Sequence, residues 1–209
     1  MLMLTNYHRI AVLTSVDLVD TVRPADLDRP TPCEGWVLGD LLSHMTIQHH
    51  GFAAAARGHG ADLANWQVES VVDSVRSDPA RAYADAARGV LDAFSADGAD
   101  DASFALPEFG GNAVFPGSIA MGFHFVDYVV HGWDVAASLG VGYELPADVL
   151  SAVLPLVLAV PDGEVRLVEN IPFDPAVDPV DGAGDLERIL RHLGRTPDWS
   201  QRHSAVAGE

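Results

Sequence analysis

The sequence predicts a mainly α-helical domain, built as a bundle of four main helices. Near the start, apolar residues recur at a three-residue spacing that indicates a helix. These residues are Ile10, Leu13, Val16 and Val19. Residues 116–139 are apolar on nearly every side, which is typical of a central, buried helix. Prolines and glycines punctuate the chain at positions that suit helix ends.

The four main helices are predicted in order along the chain. The first covers residues 7–22 and ends before Pro24, because proline cannot continue a helix. The other three are expected over residues 37–57, 79–96 and 116–139, the last capped by Gly140. An acidic loop is expected over residues 97–107.

The C-terminal part is predicted as an extension of the bundle. A further helix over residues 147–159 is expected to break or bend near Pro155. Residues 164–180 contain β-branched residues and three prolines, which predict a short strand or an extended arm. A short helix over residues 186–193 ends at Gly194. We therefore expect one domain over residues 1–209, with the bundle over about 1–160 and the extension over about 161–209.

The amino-acid composition limits which classes of partner the protein can bind. It carries 12 lysine and arginine residues against 30 aspartate and glutamate residues, a formal net charge of -18. Such a surface repels nucleic-acid phosphates and anionic lipids, so neither partner is expected. Cys33 is the only cysteine, which excludes an intramolecular disulfide and a cysteine-built zinc site. The sequence has no basic leader followed by an apolar run and no membrane-length apolar stretch, so a cytoplasmic location is expected.

The fourth helix carries four ionisable residues that require an explanation, because unpaired charges are costly in an apolar environment. They are His124, Asp127, His131 and Asp134. At about 100° per residue, His131 falls within about 40° of Asp127 and about 20° of His124. An imidazole and a carboxylate four residues apart can bind one ion together with a ligand from a facing helix. Asp134 is expected either to orient a ligand imidazole or to lie on the helix surface.

The second helix offers the facing ligand. His44 lies there, with Asp40 and Gln48 one turn to either side. Gly51, near the same face, would let another helix approach closely.

Plainer interpretations compete with a metal site. His44 alone suits a hydrogen-bonded core histidine, and Asp127 with His131 suits a simple pair on a helix surface. The apolar neighbours of that pair argue against a solvated surface. The spacing by itself leaves these interpretations open.

Other residues carry weaker signals. His49 and His50 lie on other faces of the second helix, where they are expected to be exposed or to support a ligand. Cys33 lies in a loop rich in proline and glycine and is assigned a packing role, and Trp36 and Trp133 are assigned to the core. The sequence contains no HExxH, GxSxG, P-loop or GxGxxG motif.

Three stretches together form a specific pattern. TPCEGWVLGDLLSHM leads into the second helix, VDYVVHGWDVAASLG makes up most of the fourth, and FDPAVDPVDGAGDLERILRHLGRTP lies near the end. They resemble the actinobacterial metal-binding branch of the DinB-like superfamily. That branch is related to the N-terminal domain of mycothiol-dependent maleylpyruvate isomerase. The resemblance covers nearly the whole chain and implies an up-down four-helix bundle of unusual connectivity.

The resemblance also implies a ligand set and a chemistry. The ligand positions of the family fall on His44, Asp127 and His131. Family members bind zinc or another divalent ion there, with water in the open position. Zinc is therefore expected in this chain, with nickel and iron as alternatives. Several use the metal to activate a thiol such as mycothiol or bacillithiol. The isomerase has a glutamate where this chain has Asp127, so turnover of maleylpyruvate is not expected.

Three functions follow as hypotheses. The first is a metal-dependent thiol transferase or isomerase, whose partners are a small-molecule substrate and a small thiol that ionises on zinc. The second is a metal-dependent hydrolase in which Asp134 or His124 serves as the general base. The third is a non-catalytic bundle in which the metal has a structural or sensing role. A homodimer is compatible with each.

Overall fold

The computed structural model describes residues 2–167 and 173–199, and within them the chain is mainly helical. The α-helices are α1 (Leu2–Val19), α2 (Leu38–Ala56), α3 (Glu69–Ser77), α4 (Pro79–Phe94), α5 (Gly117–Leu139), α6 (Ala147–Leu158) and α7 (Asp185–His192). Strands β1 (Ser103–Ala105) and β2 (Val114–Pro116) form an antiparallel hairpin in which Phe104 pairs with Phe115. Of the described helices, none is long and apolar enough to cross a membrane.

Four helices form the bundle, because α1 and α2 each pack against both α4 and α5. Helix α5 is central, and its residues Phe125, Val129 and Val130 have no exposed surface. It ends at Gly140, whose φ of 71° is left-handed and favours glycine. The predicted all-α class and the four main helices are confirmed.

Two short elements differ from the sequence-based expectation. The sequence pattern does not predict helix α3, because its nine residues hold only one short apolar repeat, Val71 and Val75. These two side chains are buried against α2 and α4. The prediction of a loop over residues 97–107 is wrong for residues 103–105, which form strand β1. There Phe104 is completely buried and belongs to the hairpin.

The C-terminal helices pack onto the bundle. Helix α6 contacts α1 and α5, and α7 contacts α6. Helix α6 continues through Pro155 to Leu158, so the expected break is absent. Helix α7 confirms the predicted last helix, which is followed by Gly194 with a φ of 79°.

The segment between α6 and α7 also differs from the prediction. Gly163–Leu167 is a 3-10 helix, and residues 173–180 are neither helix nor strand, so the described part of the segment contains no strand. Residues 168–172 of the predicted segment lie outside the described residues. The segment is anchored by the buried Arg166, which donates hydrogen bonds to the carbonyls of Pro161 and Asp174. The assignment of residues 1–209 to one domain stays a prediction.

The absence of a side chain at Gly51 makes room for the indole of Trp66, and not for the close approach of another helix that the sequence predicted. A Cβ at this position would lie 2.4 Å from the indole of Trp66, closer than real contacts allow. Trp66 is held there by an edge-to-face contact with Phe52 and by a 2.8 Å hydrogen bond to the carbonyl of Gly60. The indole therefore occupies the space that the missing side chain leaves.

We expect Gly51→Ala to lower the free energy of unfolding by about 1–3 kcal/mol, because its methyl group overlaps the indole. Gly89→Ala in α4 is the matched control, since no atom lies within 4 Å of its Cβ position. Alanine there is expected to stabilise the helix by about 0.5–1 kcal/mol. Urea unfolding measures both changes, and equal shifts in the two variants would contradict the packing argument.

Candidate metal centre

On the faces of α2 and α5 that carry the predicted ligands, a few partly exposed residues mark where the site opens to solvent. Between residues 41 and 49 of α2, the residue that is not fully buried is His44. Between residues 120 and 138 of α5, the half-buried residues are Phe123 and Asp127, one turn apart. His131 lies a further turn along α5 and is 5% exposed. Two predicted ligands therefore border the opening, and the third lies beneath them.

The structure brings the three predicted ligands together. One potential ligand atom from each of His44, Asp127 and His131 lies within 4.8 Å of the other two. Nε2 of His131 is 3.3 Å from Oδ1 of Asp127, and the rings of His44 and His131 meet edge to face with centroids 5.3 Å apart. The three side chains of the predicted set therefore converge on one point. Their assignment as metal ligands stays a prediction.

The opposite edge of the His131 ring contacts a second carboxylate. Nδ1 of His131 is 2.9 Å from Oδ2 of Asp134. Asp134 has no exposed surface, so its expected alternative place on the helix surface is wrong. The contact agrees with the other expectation, in which Asp134 orients the imidazole.

Arg195 reaches Asp134 from beyond α7. Its guanidinium donates hydrogen bonds of 3.1 Å and 3.4 Å to the two carboxylate oxygens, and Arg195 is 5% exposed. Phe173 adds a cation–π contact, with its ring centroid 5.5 Å from the guanidinium carbon. Sequence reasoning missed Arg195, because it is 61 residues from Asp134 and no local pattern joins them.

Cys33 belongs to the same buried group. Its Sγ lies 3.3 Å from Oδ2 of Asp134, 3.4 Å from Nη2 of Arg195 and 3.9 Å from Nδ1 of His131. Thr31 fixes the loop by accepting a 3.1 Å hydrogen bond from the backbone N–H of Cys33. The expected packing role is therefore incomplete, since the thiol contacts three polar groups.

Burial and charge act differently on the two histidines of the set. Burial lowers the pKa of His44 to about 4, and the charge of Asp127 only partly opposes it. Burial also acts to lower the pKa of His131, but the charge and hydrogen bond of Asp127, with the hydrogen bond of Asp134, raise it well above its usual value. An imidazolium at His131 and a divalent cation beside Asp127 are alternative sources of positive charge at this point.

Burial acts to raise the pKa of the Asp134 carboxyl, but the charges and hydrogen bonds of Arg195 and His131 together outweigh it and hold that pKa below its usual value. Asp134 and Arg195 therefore form a charged, buried pair behind His131. An ionised carboxylate with these bonds is not available as a general base, so the hydrolase hypothesis loses one of its two candidates.

The other candidate base, His124, lies elsewhere. Its Nδ1 is 2.8 Å from Nε2 of His8, and its Nε2 is 3.3 Å from Nδ1 of His49. All three rings are buried, so the expected exposure of His49 is wrong, and sequence reasoning missed His8 altogether. His124 and His131 point in nearly the same direction from the helix axis, but they do not meet. The seven-residue interval places them about 10 Å apart along that axis.

The three rings form a neutral chain of histidines. Burial lowers the pKa of His8 to about 3 and lowers those of His49 and His124 well below their usual value. Each neutral ring has one N–H, so both hydrogen bonds must run in the same direction along the chain. The outer atoms, Nδ1 of His8 and Nε2 of His49, are buried and have no hydrogen-bond partner among the described residues.

Side chains around the opening complete the site. Trp36 is 38% exposed and its ring centroid is 5.1 Å from that of His44, so its assignment to the core is wrong. Trp133 is buried as expected, and His50 is exposed. Gln48, one turn after His44, donates a 2.8 Å hydrogen bond to the carboxylate of Glu108 in the hairpin loop.

The fold and these side chains define a helical-bundle protein with two imidazoles and one carboxylate gathered at the opening between two helices. The family described as mycothiol maleylpyruvate isomerase N-terminal domain matches residues 9–136, which is more than half of the chain. The chain belongs to this family, as the sequence resemblance predicts.

Relatives and solved structures agree with this family. Two uncharacterized proteins of Mycobacterium tuberculosis, Rv0738 of strain H37Rv and MT0763 of strain CDC 1551, are 29% identical to this chain over 142 residues, 68% of this chain and 70% of theirs. The crystal structure of the mycothiol-dependent maleylpyruvate isomerase matches with a TM-score of 0.57 at 14% identity, over 75% of this chain and 67% of that chain. A histidine-to-alanine mutant of that isomerase gives 0.56 at 12% identity, with the same coverage. At these identities the structural likeness establishes the shared fold.

We expect Arg195→Gln to destabilise the protein by about 3–5 kcal/mol, because it leaves the buried carboxylate of Asp134 without its cation. Arg188→Gln is the matched control, since its pair with Asp185 is exposed and worth at most about 1 kcal/mol. Denaturant unfolding of the two variants measures the difference. A loss at Arg195 no larger than that at Arg188 would show that the buried pair does not support the fold.

The histidine chain predicts a pH-dependent loss of stability. Below pH 6.5 the unfolded chain protonates at His8, whereas folded His8 stays neutral down to about pH 3. Stability is therefore lost from about pH 6.5 downward, by about 1.4 kcal/mol for each pH unit. The destabilisation caused by His8→Gln should be smaller at pH 5.5 than at pH 7.5 by about that amount. His59→Gln, at an exposed position, serves as the control, and an unchanged effect of His8→Gln at both pH values would contradict the assignment.

Proposed function

We propose that this protein is a divalent-metal-dependent enzyme that acts with a low-molecular-weight thiol such as mycothiol, as a thiol transferase or isomerase. The observation that carries the proposal is the convergence of one ligand atom each from His44, Asp127 and His131 within 4.8 Å. Membership of the mycothiol maleylpyruvate isomerase N-terminal domain family supports the thiol.

The donor set fits a divalent ion, and zinc in particular. Bonds of about 2.0–2.1 Å at tetrahedral angles hold two ligand atoms roughly 3.3 Å apart. Nε2 of His131 and Oδ1 of Asp127 have this separation, 3.3 Å. Two imidazoles and one carboxylate leave a fourth position open, as in catalytic zinc sites. Nickel and iron accept the same nitrogen and oxygen donors.

A second group of potential ligands fits an ion less well. Cys33, His131 and Asp134 also offer atoms within 4.8 Å of one another, on the Nδ1 side of the imidazole. Arg195 donates hydrogen bonds to both Cys33 and Asp134, so a positive charge already occupies that side and repels a cation. We therefore assign the ion to the Nε2 side, with His44 and Asp127.

The surrounding residues prepare His131 for this role. The carboxylate of Asp134 accepts a hydrogen bond from Nδ1–H of His131, so the other ring nitrogen, Nε2, is the one that would bind an ion beside Asp127. Arg195 keeps that carboxylate ionised, and the ring of Trp36 borders His44 at the opening. The ligand set is thus held in place from behind and accessible from the front.

A divalent ion held there would lower the pKa of a thiol in its open position and so favour the thiolate nucleophile at neutral pH. The chain's own thiol does not fill this role. Cys33 lies behind His131, bonded to Arg195 and Asp134, away from the opening where His44 and Asp127 lie. An external thiol is therefore the nucleophile that the site accepts.

We expect untagged protein to bind close to one divalent ion per chain, and His44→Ala and His131→Ala to weaken Zn²⁺ binding by at least about 100-fold, because each removes one of three ligands. His59→Ala, at an exposed position away from this set, should bind like the parent. Elemental analysis and chelator competition provide the measurements. Undiminished Zn²⁺ binding by both ligand variants would refute the site.

Cys33→Ser separates an internal thiol from an external one. Because Cys33 faces Arg195 and Asp134, we expect this variant to keep its metal and its thiol-dependent turnover within about threefold. The assay compares turnover of electrophilic substrates and of maleylpyruvate with and without mycothiol. Loss of both metal and turnover in a folded Cys33→Ser variant would make Cys33 the functional thiol. Undiminished turnover without mycothiol would instead favour a hydrolase.

A further inference from the structure

An apolar surface adjoins the candidate metal centre at the edge of the bundle core, against which Phe115 and Phe123 pack. The rings of Phe109, Phe115 and Phe123 contact one another, with centroids 5.0–5.4 Å apart, and we call these three residues the aromatic ledge. Phe109 is 49% exposed, and the neighbouring Val114 and Ile119 are 57% and 48% exposed. Phe115 and Phe123 are half-buried, so the exposed apolar area comes from Phe109, Val114 and Ile119, and a contiguous apolar patch of this kind is typical of a binding surface.

Two connections join the aromatic ledge to the site. Along α5, Phe123 precedes Asp127 by one turn, so the two side chains lie on the same face of the helix. Across the opening, Gln48 lies one turn after His44 and holds Glu108, the residue before Phe109, by a 2.8 Å hydrogen bond. The hairpin loop is thereby fixed beside the ligand set, with the ring of Phe109 stacked on that of Phe123.

The charges around the opening select the ligand. The chain has no lysine, and α2, residues 103–116 and α5, which border the opening, contain no arginine. In the loop that carries Trp36, Arg29 is paired with Asp26 at 2.8 Å. Arg195 acts on Asp127 only from behind, where it is bonded to Asp134 and Cys33. A carboxylated substrate would therefore find no side-chain cation on these segments, and the carboxylate of Glu108 would repel it.

We propose that the aromatic ledge binds the apolar body of a small, uncharged substrate, which it presents to the site between His44 and Asp127. This inference rests on the proposed function and names its substrate class. Stacking on Phe109 and Phe123 supplies the affinity, and beyond the metal ion no side-chain cation on these segments pairs with the charges of a dianion such as a dicarboxylate. Phe109 is then a specificity-determining residue, because its ring is the most exposed of the three.

The test uses two fluorescent probes that share one ring system. N-phenyl-1-naphthylamine is uncharged, and 8-anilinonaphthalene-1-sulfonate carries one negative charge. On zinc-loaded protein, we expect the uncharged probe to bind at least about tenfold more tightly than the sulfonate, and Phe109→Ala to weaken its binding by about tenfold. Leu63→Ala removes a more accessible apolar side chain, 63% exposed, in a different segment and should change nothing.

The same variants are then assayed for thiol-dependent turnover of an uncharged aromatic electrophile. Phe109→Ala should raise KM about tenfold, with kcat and zinc content unchanged. Equal binding of the two probes, or equal binding by Phe109→Ala and the parent, would overturn the proposal even where metal and thiol dependence hold. Loss of metal binding with an intact probe response would instead remove the proposed function and keep the apolar site.

Discussion

The arrangement on which this structure depends is the imidazole of His131 held between two carboxylates, Asp127 on one edge and Asp134 on the other. A buried carboxylate without a partner costs several kcal/mol, so each requires positive charge nearby. Asp134 obtains it from Arg195, at the far end of the chain. The site therefore requires the loop before α2, the central helix and the segment after α7 to meet at one point, and the C-terminal extension is part of its construction.

This arrangement divides the surroundings of His131 into two sides with different roles. The Nδ1 side is closed and fully compensated, because Asp134, Arg195 and Cys33 bond to one another there. The Nε2 side faces the opening and has an incomplete set of partners, His44 and Asp127. The second side is the one that borders the opening, and the only thiol of the chain lies on the first.

The same two helices, α2 and α5, together with α1, also carry the row of three hydrogen-bonded histidines, His49, His124 and His8 respectively. The difference between the two groups of histidines is the presence of carboxylates. In the row of three histidines, the imidazoles form hydrogen bonds only with one another and remain neutral, because burial lowers their pKa values. At the site, Asp127 and Asp134 raise the pKa of His131, so the helix carries a charged group and a neutral one two turns apart.

The sequence by itself determined the four main helices and the buried position of α5, because apolar periodicity repeats within a few residues and can be read locally. It predicted the grouping of His44 with Asp127 and His131 through the resemblance of two compact motifs to a known family, since residues so far apart in the chain show no local pattern. Only the tertiary structure decided which partners complete the site, because Arg195 is 61 residues from Asp134, and Phe109 reaches the opening from the hairpin loop. It also separated His124 from His131, because the angle between two residues on a helix takes no account of the distance between them along its axis.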